Sequence, residues 1–175
     1  LSTTSTEAVT GKQLHATNQR VSTATSTANA AKASADAAVG RIGAAAVALG
    51  QAAVAEGSGS TASAALGSAA KAYNGNGVAM GADARAGVND KGEKSTAATG
   101  AVAIGALSRS GNGAVAAGLR ASAIGDRAVA LGNDANAAAT HATAAGYTAT
   151  ASANQATAVG REASATGTLS TALCH

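Results

Sequence analysis

Three cations recur at a spacing that could hold an anion. Lys71, Arg85 and Arg109 each stand fourth in a seven-residue segment of a repeated sequence. With an insertion after residue 88 set aside, they occupy equivalent places on successive repeats. If those repeats are stacked strands, the three side chains lie about 5 Å apart. Like charges that close repel. A counter-anion or polyanionic ligand would relieve the ladder; the alternative is a solvated face with the long side chains splayed apart. The insertion, near 89–98, carries Asp90, Lys91, Glu93 and Lys94. It reads as a loop leaving a rigid scaffold, a common place for recognition, or as a tolerated surface insertion. These seven residues form the candidate ligand-binding set.

No catalytic constellation accompanies them. The nine acidic residues are scattered, and no two recur on one outward face of adjacent strands for acid/base work. Neither a nucleophile–base arrangement nor a phosphate-binding loop is present. No enzyme activity, catalytic residue or cofactor is therefore expected. Cys174, His15, His141 and His175 lack metal-ligand spacing, so no metal is expected. The net charge of +3 is spread out, and Tyr73 and Tyr147 are the only aromatic residues. That offers no stacking platform, and no nucleic-acid partner is expected. The tyrosines read as surface shields and His141 as an exposed turn residue. There is no signal peptide and no apolar run of transmembrane length. That leaves an intracellular protein or an excised piece of a longer chain.

The elements that would position these residues follow from an unusual composition. Of 175 residues, 54 are Ala and 22 are Gly, while Pro, Phe and Trp are absent. Val, Ile and Leu together number 23, about half the supply of an ordinary globular core. Collagen is excluded because Pro is zero and Gly is not every third residue. Only 12% of residues are charged, which does not suit a solvated tail. A regular array in which Ala and Gly are the correct sizes remains.

The array is visible as sevens: LRASAIG, DRAVALG, NDANAAA, THATAAG and onward from 119 to 174. Ala holds the fifth place throughout and the third in all but the last. Those places lie on opposite sides of a helix but on one face of a strand. Gly at the seventh place argues against a coiled coil, since it costs about 1 kcal/mol in a helix interior. Alternate sevens differ, so the true period is fourteen. One class points Val47, Leu49, Leu66, Val78, Met80, Val102, Ile104, Val115, Val129, Leu131, Val159 and Leu173 outward. The other points Lys, Arg, Ser, Thr and Asn outward. The prediction is a thin all-β solenoid with an Ala interior, one wet face and one apolar stripe about 40 Å long. A monomer would not leave that stripe in water, so a closed cyclic oligomer is expected. A shorter addition, Ser58-Gly59-Ser60, widens one early turn.

Residues 6 to about 42 follow a helical rule. Placing Asn18, Thr25, Lys32 and Val39 at a leaves Leu14, Val21, Ala28, Ala35 and Ile42 at d. Such a seam is too weak to persist alone. Asn18 sets register, binds a buried anion, or sits in a partly hydrated seam. Leu14, Val21, Val39 and Ile42 join the stripe residues as the expected contacts between chains.

The segment TEAVTGKQLHATNQRV (6–21) resembles the neck of trimeric autotransporter adhesins, with Val9, Gly11, Gln13 and Leu14 matching. The strands AVALG, GVAMG, AVAIG and ASAIG resemble those of YadA-like heads. The resemblance implies a neck over 1–21, a short trimeric coiled-coil stalk over 22–43 and a head over 44–175. It also implies a left-handed parallel β-roll, a homotrimer and a place on the outer membrane surface of a Gram-negative bacterium. There the family adheres to host extracellular matrix or cell-surface receptors, such as collagen or a glycosaminoglycan, and contributes to virulence. Collagen binding would fall on 46–50, 77–81, 101–105 and 128–132, although their apolar side chains suit assembly better. Neck and coil precede the head, so another head is expected upstream, and a membrane anchor is expected outside this stretch. Cys174 stands where the other eight apolar-class repeats have Gly, which leaves its turn geometry open.

Two rival functions fit the residues less well. An ice-binding solenoid would use ranks of Thr, and Thr143, Thr157 and Thr171 do stack; here they continue the apolar stripe. A polysaccharide-cleaving β-helix would need the clustered carboxylates that are missing. A purely structural surface solenoid is the remaining alternative to an adhesin.

Overall fold

The computed structural model describes residues 11–40, 46–56, 62–73, 75–95 and 99–174, with side chains over 34–40 excepted. The chain divides into two units, Leu1–Gly40 and Arg41–His175. In the first, one α-helix runs Gly11–Gly40, within the stretch where a helix was expected. All its described side chains are exposed. Leu14 and Val21 stand 55% and 58% exposed, so the helix buries no apolar face within this unit. A helix without a packed apolar face is only marginally stable in water. Helical backbone includes Val39; Ile42 lies outside the described residues.

The second unit is a parallel β-solenoid. Nine strands, from Ala46–Leu49 to Thr171–Leu173, stack in chain order into one sheet. Eight two-residue strands, from Val54–Ala55 to Ser164–Ala165, stack into the other. These are the two alternating classes read from the sevens. Register follows the repeat: Val129 pairs with Thr143 and Thr143 with Thr157, steps of fourteen. Departures from fourteen occur at three places. Val47 pairs with Ala64 across the early addition, whose Ser58-Gly59-Ser60 lies outside the described residues. Val78 pairs with Val102 across the charged insertion. Val102 then pairs with Val115, a coil of thirteen, because the turn after Arg109–Ser110 is one residue shorter.

The interior is made of methyl groups. Inward-pointing Ala residues from Ala65 to Ala163 are almost all fully buried. Side chains this small let the two sheets approach more closely than the usual ~10 Å, and each removes little area individually. Their number and the continuous ladders of hydrogen bonds make up the difference. Ser108 and Ser110 replace inward Ala in the shortened coil and are fully buried. They separate the Ala interior into two clusters, one ending at Ala103 and the other beginning at Ala114. Ser108 Oγ donates to the Gly105 carbonyl at 2.8 Å. Ser110 Oγ is buried without a hydrogen-bond partner.

The turns need more than Gly. At the seventh place, Gly132 has φ +127°, and a Cβ there would lie 2.5 Å from the Gly146 carbonyl oxygen of the next coil. Gly is required because the coils touch, as well as because the chain bends. The left-handed residue of each tight turn comes two places later and is usually not Gly. Ala69, Asp83, Leu107, Arg120, Asp134, Thr148 and Glu162 all have φ between 53° and 60°. Their amides are satisfied by the preceding coil, as in Asp134 N–H to the Leu119 carbonyl at 2.9 Å. Stacking thus holds L-residues in a conformation that costs each about 1–2 kcal/mol. At the last described coil, Cys174 keeps the ladder hydrogen bond, its amide donating to the Val159 carbonyl at 2.9 Å.

Candidate functional site

The eight-stranded sheet carries the cations. Lys71 pairs in register with Arg85, and Arg85 with Arg109. The three predicted residues therefore do form a ladder, one per strand, at the ~4.8 Å strand spacing. Arg85 is partly neutralised by Asp83, whose Oδ1 lies 3.3 Å from Arg85 Nη2.

Arg85 and Arg109 open onto a cleft of about 330 Å³ that Asp83, Leu107 and Arg120 complete. The last three belong to one turn ladder: Asp83, Leu107, Arg120 and Asp134 occupy the left-handed position on successive coils. Their amides bond from coil to coil, Leu107 to Ala82 and Arg120 to Ala106. Arg120 is clamped from outside the cleft by Asp134, with Nε–Oδ1 at 2.6 Å and Nη2–Oδ2 at 2.7 Å. This two-pronged bond holds the Asp134 carboxyl below the usual carboxylate range and raises the Arg120 guanidinium above its own. Leu107, 49% exposed, supplies an apolar patch among the guanidinium groups.

The insertion is a folded loop anchored on the roll. Val88 is fully buried and bridges to Lys94 in antiparallel fashion. Asn89 Oδ1 accepts from the amides of Lys91 and Glu93, at 3.0 and 2.9 Å. Lys94 Nζ pairs with the Glu56 carboxylate on another coil. Asp90, Lys91, Glu93 and Lys94 are all exposed, as a recognition loop would require. The loop reaches the cation ladder at Gly92, where a Cβ would stand 3.4 Å from Arg109 Nη1. Residues 96–98 of the predicted insertion lie outside the described residues.

The nine-stranded sheet carries the apolar stripe. Leu49, Met80, Ile104, Leu131, Val159 and Leu173 are between 39% and 74% exposed. Leu66, Val78, Val102, Val115 and Val129 stand half-buried beside them, and Val47 is exposed. By register the large side chains run unbroken from Leu49 through Leu66 and Met80 to Ile104; beyond, Ala117 and Ala145 alternate with Leu131 and Val159.

Sequence reasoning found the ladder but missed Asp83, Leu107, Arg120 and Val88. The turn residues carried a signal, since all three stand second in their sevens; that place had no assigned face. Tyr147 is half-exposed and lies under the Arg161 guanidinium, 5.8 Å from the ring centre, as a surface shield would. His141 is an exposed turn residue. No helix among the described residues is long and apolar enough to cross a membrane.

The solenoid is filled by Ala and decorated differently on its two sheets. Residues 42–63, 110–135 and 137–163 match the YadA head domain repeat. These repeats support a YadA-like trimeric autotransporter adhesin head, a family with an adhesin-type function at the bacterial surface. The charged insertion falls between the matched stretches. No curated protein matches the chain.

Proposed function

We propose that three copies of this chain assemble through the apolar stripe and display their wet faces to host matrix or host cells. The observation that carries this reading is the stripe. Six large apolar side chains on one sheet remain between 39% and 74% exposed in the single chain. Burying what is still exposed of each is worth about half of the 1.5–3 kcal/mol of full burial, and three-fold closure buries one stripe per chain without leaving an open edge. Leu14 and Val21, exposed on the helix, serve the same assembly as a short coil. The wet face is then the outer one, and binding is adhesive, with no chemical conversion of the bound partner. Three parallel copies convert weak single contacts into avid attachment.

Beads coated with the protein test the adhesive role. They should attach to matrix-coated surfaces or cultured cells, and a stripe-disrupted variant, Ile104→Glu with Leu131→Glu, should attach far less. Equal attachment by both would remove trimeric avidity from the account.

A further inference from the structure

We propose that the cleft formed by Asp83, Arg85, Leu107, Arg109 and Arg120 binds the sulfate groups of a sulfated polysaccharide. The proposal rests on the reading of the roll as an adhesin head and specifies the ligand class of its wet face. Three guanidinium groups from successive coils line one cleft of about 330 Å³. They differ in how far each is already engaged. Arg120 is held by both oxygens of Asp134, which fixes its orientation. Arg85 has a single long contact to Asp83 at 3.3 Å. Arg109 is exposed and next to Arg85 in register, with the backbone of Gly92 close to its Nη1.

Two adjacent like charges at strand spacing favour an anion that can accept from both at once. A tetrahedral sulfate presents three oxygens and can span two guanidinium forks, whereas one planar carboxylate fills one fork, as Asp134 already does at Arg120. Leu107 adds an apolar surface in the same cleft, which suits the C–H face of a sugar ring better than a bare ion. The cleft lies on the eight-stranded sheet and on the turns that lead to it from the stripe-bearing strands, with Arg85 and Arg109 on the sheet without the stripe. In an oligomer joined through the stripe those two guanidinium groups stay outward, and a long polyanion could engage several chains.

The test measures binding of the full chain to heparin, fully desulfated heparin and polyglutamate. Heparin should bind, with affinity falling as salt is raised, and the other two should bind at least tenfold more weakly, about the loss of one charge-assisted pair. Arg109→Ala and Arg85→Ala should each lower heparin affinity by about tenfold. Arg109→Lys should recover only part, because the fork is lost. Asp83→Asn removes a competing carboxylate and should tighten binding severalfold, a gain that misfolding cannot produce. Comparable binding of polyglutamate or desulfated heparin would reduce the cleft to general charge attraction and overturn the assignment. Unchanged affinity in both Arg→Ala variants would do the same. Failure of the adhesin reading looks different: heparin binds, but coated beads do not attach to cells or matrix.

Discussion

At the scale of single residues, the molecule is governed by close approach. Gly132 shows it best, since its φ of +127° and the 2.5 Å gap to the Gly146 carbonyl leave no room for a methyl group. Gly132→Ala should destabilise the roll by at least about 2 kcal/mol, seen as a lower melting temperature. The Arg120–Asp134 bond makes a pH prediction. Asp134 has a lowered folded-state pKa. Its contribution is therefore complete above the ordinary Asp value of about 3.9 and fades as pH falls through the lowered one. The melting difference between wild type and Asp134→Asn should stay constant from about pH 5 to pH 8 and shrink towards about pH 2. The seventh-place Gly was legible in the sequence because Gly has few other uses in a strand repeat. The left-handed turn residues were not: Leu107 and Thr148 are types that composition assigns to almost any other place. Only bonds to the preceding coil hold them there.

At the scale of elements, the alternating sevens gave away both sheets. Side-chain alternation and Ala at two fixed places leave one consistent assignment of inside and outside, and the observed pairing of Thr143 with Thr157 follows it. An interior built for methyl groups should resist anything larger. Ala130→Leu, at a fully buried position, should cost at least the 1–3 kcal/mol typical of overpacking, because neither sheet can move outward without breaking its ladder. The shortened coil between Val102 and Val115 was countable, since only six residues, 106–111, separate Gly105 from the next apolar-class seven, but which turn gives up the residue shows only in the pairing of Arg109 with Ser122. Val88 was hidden: one apolar residue beside four charges looks like loop, and only the folded loop shows it buried. The helix makes its own prediction. With every described side chain exposed, a peptide of residues 11–40 should be largely unstructured in dilute solution by circular dichroism.

At the scale of the whole molecule, the two sheets divide the work. One presents cations and an anchored loop; the other presents a register-matched apolar stripe from Leu49 to Leu173. A chain with 23 branched aliphatic residues cannot afford to leave many of them in water, and the interior has no space for them. The shared core between copies is therefore the central claim, and the most direct measurement is mass in solution by sedimentation equilibrium. The account predicts a species of about three times the 16.2 kDa of one chain, persisting on dilution. Ile104→Glu with Leu131→Glu should drive it towards single chains. A wild-type protein that sediments as a stable, folded monomer would contradict the account.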